Sequence, residues 1–144
     1  MAKLLIAYHT QSGNTEALAR AVEEGAEKAG AEVVCKLAAE VKEKDFVLAD
    51  IFAFGSPDYF SYMAGALKDV FDRVHYQVKD KIKGKPFGVF VTHGGGGTPA
   101  VESIHEVASS LGLEEKVEPL LIQGKPDEEG LKKGREFGKK LISQ

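Results

Sequence analysis

Short apolar runs alternate along this chain with segments in which apolar residues recur every three or four positions. Lys3 to Tyr8, Ala31 to Leu37, Ile51 to Gly55, Phe87 to Thr92 and Lys116 to Gln123 have the length and flanks of buried strands. Between them, Leu18, Val22, Ala26 and Ala29 mark one face of a helix that Gly30 stops. Lys42 to Ala49 predicts a short second helix. Met63, Leu67, Val70, Phe71 and Val74 predict a third, and Val101, Ile104, Val107, Ala108 and Leu111 a fourth, closed by Gly112. Asp127 to Ile142 predicts the last, with Asp127 as its cap after Pro126. Strands alternating with helices in this way predict an α/β fold, a three-layer sandwich around a five-stranded parallel sheet. Pro57 is expected to end the third strand in a loop, because proline cannot extend a central strand.

Composition adds bounds. The chain has 144 residues, which is the size of one domain, so residues 1–144 are expected to form a single unit. A net charge of -3 gives no basic block to recruit nucleic acid or a membrane surface. No apolar stretch is long enough to span a bilayer. A strand-like run follows Met1 directly, so no signal peptide and a cytoplasmic location are expected. The lone Cys35 lies in an apolar run and reads as a small buried hydrophobe, with no metal-site pattern around it.

In a parallel sheet, ligands bind beyond the carboxyl ends of the strands, and three loops there carry unusual chemistry. The first is Thr10-Gln11-Ser12-Gly13-Asn14-Thr15, which opens a helix and holds the only asparagine of the chain. Free backbone N–H groups at a helix start, together with hydroxyl and amide side chains, make an anion site suited to a phosphate monoester. The loop has no Lys or Arg, so neutral dipoles would do the gripping. Neither the phosphate-binding G-x-x-x-x-G-K-[ST] nor the dinucleotide-binding G-x-G-x-x-G follows the first strand. The second loop, Ser56-Pro57-Asp58-Tyr59-Phe60-Ser61-Tyr62, offers aromatic side chains on which a flat heteroaromatic ring can stack. Asp58 there serves either a polar ring edge or a turn. The third loop, His93 followed by four glycines and Thr98-Pro99, lets backbone approach a ring edge closely. An HGGG string also occurs in esterases, but that chemistry needs a G-x-S-x-G elbow, which is absent.

These three loops, in this order, resemble the flavodoxin family over essentially the whole chain. Thr10 to Thr15 looks like that family's phosphate loop, T/S-x-T/S-G-N-T. Gly55 to Phe60 and Thr92 to Gly97 match its two isoalloxazine loops by position. The ending, Gln123-Gly124-Lys125-Pro126-Asp127-Glu128 and then Glu136-Phe137-Gly138-Lys139-Lys140, is similar to short-chain flavodoxins. The resemblance implies strand order 2-1-3-4-5 and flavin mononucleotide (FMN) as cofactor. It places Thr10, Gln11, Ser12, Gly13, Asn14 and Thr15 around the phosphate. Ser56, Pro57, Asp58, Tyr59, Phe60, Thr92, His93, Gly94 and Gly95 would then meet the ring. No side chain is implied as a catalyst, since the flavin carries the chemistry. The chain departs from the family pattern in having no tryptophan and only a mild acidity. Gly55-Ser56-Pro57 followed by Phe60 and Met63-Ala64-Gly65 is also similar to the WrbA-type NAD(P)H:quinone oxidoreductases. The two resemblances imply different partners: redox proteins in one case, NAD(P)H and a quinone in the other. They leave a monomer and a homo-oligomer equally open.

Overall fold

A computed structural model describes residues 1–143. In chain order the elements are β1 (Lys3–Tyr8), α1 (Asn14–Lys28), β2 (Glu32–Leu37), a 3-10 turn (Ala38–Glu40), α2 (Glu43–Leu48), β3 (Ile51–Pro57), α3 (Gly65–Ile82), β4 (Pro86–His93), α4 (Thr98–Ser110), β5 (Glu114–Glu115), β6 (Leu120–Gln123) and α5 (Glu128–Ile142). All strand pairs are parallel, in the order β2-β1-β3-β4-β5, with β6 also on β4.

Side-chain alternation along the central strands sorts the core into two layers. Leu5, Ala7, Phe52, Phe54, Phe87, Val89 and Val91 face α2, α3 and α4. Leu4, Ile6, Tyr8, Ala53, Phe90 and Ile122 face α1 and α5. Because both faces are covered, the strands read as continuous apolar runs rather than alternating ones. Helices α1 and α5 meet through glycine. A Cβ at Gly138 would strike the Val22 carbonyl oxygen, and one at Gly25 the Arg135 carbonyl oxygen. The two backbones are therefore as close as they can come, side by side on one face of the sheet.

Three predicted elements differ from the structure. Of the fifth strand expected over Lys116 to Gln123, only Leu120–Gln123 forms, as β6 on Phe90 to His93; the two-residue β5, Glu114–Glu115, precedes it on Pro86 and Phe87. Pro119, which has no N–H for the ladder, lies in the break. Strand β3 runs on through Pro57, which pairs with Thr92. Proline is tolerated there because β1 ends opposite Gly55, so on that side Pro57 has no neighbour awaiting its N–H. Met63 falls outside its predicted helix, which begins at Gly65. It is buried in the preceding loop, its N–H bonded to Ser103 Oγ at 3.0 Å. Asp127 does cap α5, accepting from the Gly130 N–H at 2.8 Å.

Cys35 is half-buried on β2 rather than fully enclosed. It packs against the layer under α1, and burial, followed by the nearby Glu23 carboxylate, pushes its thiol up from 9.0 to about 12.

Two outcomes are expected. Gly138→Ala destabilises the fold by about 2 kcal/mol despite alanine's better helix propensity, because the new methyl meets backbone and cannot be repacked. Urea denaturation reads this as a lower midpoint at unchanged slope. Second, the raised Cys35 value means that thiolate is scarce below pH 12 in the folded protein, whereas the unfolded thiol ionises near 9.0. At pH 8 a chromogenic disulfide reagent should label the native thiol at least about a hundredfold more slowly than the denatured one.

Candidate functional site

The carboxyl ends of β1, β3 and β4 carry the three loops singled out in the sequence, and hydrogen bonds stitch them together. Gly13 stands at the entry to α1 with φ +96°, a left-handed conformation that favours glycine. With no side chain, it cannot cap the helix. The first intrahelical bond runs from the Ala17 N–H to the Gly13 carbonyl at 3.0 Å, so the N–H groups of Asn14, Thr15 and Glu16 have no backbone acceptor. The Ser12 and Asn14 side chains likewise make no hydrogen bond among the described residues. Thr10 Oγ1 accepts from the Gly13 N–H at 3.0 Å, which curls the loop and leaves the Thr10 hydroxyl hydrogen free to donate. A ring of neutral donors thus surrounds the positive end of the α1 dipole.

Not every loop residue faces outward. The Thr15 side chain is buried, and its hydroxyl lies 2.8 Å from that of Thr92, also buried, at the end of β4. Ser56 is fully buried too. Its hydroxyl accepts from the Ala64 N–H at 2.8 Å and lies 2.6 Å from the Pro57 carbonyl, holding the second loop against α3.

The second loop separates its aromatic residues. Tyr59 leans toward the first loop, donating to Gln11 Oε1 at 2.8 Å, with its ring edge-on to His9 at 6.0 Å between centroids. Partial burial raises its phenol above the usual tyrosine range. Phe60 is fully exposed. The Tyr59 and Tyr62 backbones bond each other across Phe60 and Ser61, at 2.9 and 3.1 Å. Phe60 and Ser61 have φ of 55° and 63°, so the four residues have the dihedral pattern of a type I′ turn with no glycine in it. Asp58 takes part in the turn, its Oδ1 accepting from the Ser61 N–H at 2.9 Å and its own N–H bonding the Thr92 carbonyl at 3.0 Å.

The third loop continues β4. Asp58, Ser61, His93, the Gly94–Gly97 run and Pro99 line a cavity of about 400 Å³. His93 Nδ1 is buried and has no hydrogen-bond partner. Sequence reasoning missed the inward-facing Thr15–Thr92 pair and the Ser56 hydroxyl, because nothing in a list of polar residues tells a ligand-facing hydroxyl from one that ties loops together.

A parallel sheet in this strand order, with a polar helix entry beside a glycine-rich cavity, defines a flavodoxin-like protein. The flavodoxin family model matches residues 6–138, and the chain belongs to that family. Among curated relatives, a flavodoxin from Aquifex aeolicus is 37% identical over 98 residues, covering 67% of this chain and 53% of its own length. An NAD(P)H dehydrogenase (quinone) from Archaeoglobus fulgidus is 32% identical over 125 residues, covering 66% of this chain and 65% of its own length. The chain thus spans about half to two thirds of these relatives. An archaeal flavodoxin structure superposes with a TM-score of 0.88 at 26% identity, over 97% of this chain and 96% of that one. The WrbA-like protein from Agrobacterium tumefaciens does so with 0.82 at 20%, over 99% and 96%, which shows the shared fold alone. The family implies a flavin cofactor. No described helix is long and apolar enough to cross a membrane.

The glycine-free turn makes its own prediction. A non-glycine residue in the left-handed region costs roughly 1–2 kcal/mol. Ser61→Gly should therefore stabilise the fold by about 1 kcal/mol, since the Ser61 side chain makes no hydrogen bond among the described residues. An unchanged denaturation midpoint would show that the turn carries no such strain.

Proposed function

We propose that this protein binds FMN across the three loops and passes electrons between redox partner proteins. The observation that supports this reading most directly is the open entry to α1. Three backbone N–H groups without backbone acceptors, flanked by the free side chains of Ser12 and Asn14 and the Thr10 hydroxyl, are what a phosphate dianion requires. In this reading Thr10, Ser12 and Asn14 grip the phosphate directly. Thr15 contributes its N–H while its hydroxyl fixes the helix to β4. The isoalloxazine ring lies toward the cavity between Asp58 and the Gly94–Gly97 run, with Tyr59 as the aromatic nearest the first loop. The residues present fit the group: free donors stand at the helix entry, and a cavity lined by glycine backbone lies beside them.

Bound FMN would supply one- and two-electron redox chemistry that no side chain of this protein provides. The chain's own work is to bind and orient. The glycine run brings backbone N–H and C=O groups to the ring edge. The Tyr59–Gln11 bond closes the gap between the phosphate and ring loops. A second reading, an FMN-dependent NAD(P)H:quinone oxidoreductase, draws on the quinone-dehydrogenase relatives and on the open cavity at the ring position. It requires room for nicotinamide or quinone against the ring, where a carrier needs only an exposed edge.

Titrating the purified protein with FMN, followed by flavin fluorescence, tests the binding. Riboflavin, which lacks the phosphate, should bind roughly a hundredfold more weakly, about 2.7 kcal/mol. Ser12→Glu, which sets a carboxylate against the phosphate, should lower FMN affinity at least about tenfold and leave riboflavin affinity unchanged. Equal affinity for the two flavins would remove the phosphate from this loop. Steady-state NADPH oxidation with a quinone then separates the two readings. Rapid turnover selects the enzyme. Its absence, with reductive titration proceeding in two resolved one-electron stages, selects the carrier.

A further inference from the structure

The His93 ring is held tightly. A Cβ at position 97 would lie 2.7 Å from His93 Cδ2 and 2.9 Å from a Leu121 methyl, so the ring lies against the bare backbone of Gly97. The His93 carbonyl accepts from the Gly124 N–H at 2.8 Å, and Gln123 Nε2 donates to the Gly94 carbonyl at 3.3 Å. The backbone at and just after the residue is thus pinned to the end of β6, and its ring packs against Gly97.

The two ring nitrogens then differ sharply. Nδ1 is buried with no partner. Nε2 makes no hydrogen bond among the described residues, and the residue lines the cavity, so Nε2 is the nitrogen left open to it. A neutral imidazole carries one N–H and one lone pair. Burying an N–H without an acceptor is the rarer and costlier arrangement, whereas an under-satisfied lone pair is better tolerated. The proton therefore belongs on Nε2, where water or a ligand can accept from it.

We infer that His93 is held as its Nε2–H tautomer and acts as a neutral hydrogen-bond donor into the cavity, a specificity determinant for an acceptor atom on the rim of the bound ring. The identity of the ring rests on the FMN reading; the tautomer does not. A neutral donor favours a carbonyl oxygen or bare ring nitrogen over an N–H edge, and so fixes which edge of a flat ligand turns toward β4.

Nitrogen NMR of histidine side chains in the ligand-free protein reads the tautomer directly, with His93→Gln supplying the assignment. The expected result is a proton on Nε2 and a bare Nδ1; a proton on Nδ1 overturns the inference whether or not any flavin binds. The donor role is read from FMN affinity in three variants. Glutamine places an amide N–H near the Nε2 position, asparagine near Nδ1, and phenylalanine keeps the packing with neither. His93→Phe and His93→Asn should weaken FMN binding about fivefold, and His93→Gln should stay within about twofold of wild type. If all three bind as the wild type does, His93 donates nothing to the ring. If the wild-type protein does not bind FMN, the cofactor reading fails, and the measured tautomer alone decides whether a donor faces the cavity.

Discussion

A hydroxyl pair that never meets solvent joins the two halves of the site. Thr15 stands in the first turn of α1 and Thr92 near the end of β4, and their oxygens lie 2.8 Å apart. In a low-dielectric interior such a bond is strong, and either hydroxyl alone would be a buried polar group without a partner. The pair therefore sets the height of the α1 N-terminus relative to the strand that leads into the glycine run. If the helix start is where a phosphate is gripped and the glycine run is where a ring edge is read, this bond fixes the distance between the two grips.

Packing at the far side of α1 serves the same end. Gly25, Gly134 and Gly138 bring α1 and α5 into close contact side by side on one face of the sheet, while Thr15 ties α1 at its entry. A helix used as an electrostatic end-group must not slide, since its field falls off within the first turn. Elsewhere the site tolerates strain: the Phe60–Ser61 turn keeps two left-handed residues where glycine would be easier. Hydrogen bonds to Asp58 and between Tyr59 and Tyr62 hold it against that cost. The consequence is spatial. Tyr59 is turned in toward Gln11, and Phe60 is turned fully out to water.

The sequence made the scaffold and the loops legible for a definite reason. Buried parallel strands produce unbroken apolar runs, and amphipathic helices produce a three-to-four spacing, so the two signals do not overlap. The Thr10–Thr15 loop stood out because five polar side chains around one glycine exceed what an ordinary cap needs. Direction was not legible. Thr15 and Ser56 have the same donor groups as Thr10 and Ser12, yet fold inward to hold loops, and only the third dimension separates the two kinds. The same limit applied to Pro57, whose place in β3 depends on β1 having already ended.

What the geometry adds to the family resemblance is a candidate site lined by dipoles on every side. The helix entry offers N–H groups, the first loop offers hydroxyls and an amide, and the glycine run offers backbone. Among the residues facing the cavity, Asp58 spends an oxygen on its own turn, and the chain's net charge is only -3. Neutral donors stabilise a bound anion without offsetting its charge, so the charge that reduction adds to a ring must be met largely by dipoles already in place. Were a flavin bound there as proposed, its potential would depend on how rigidly those dipoles are aimed, and so on the buried threonine pair and on a helix locked in position by glycine.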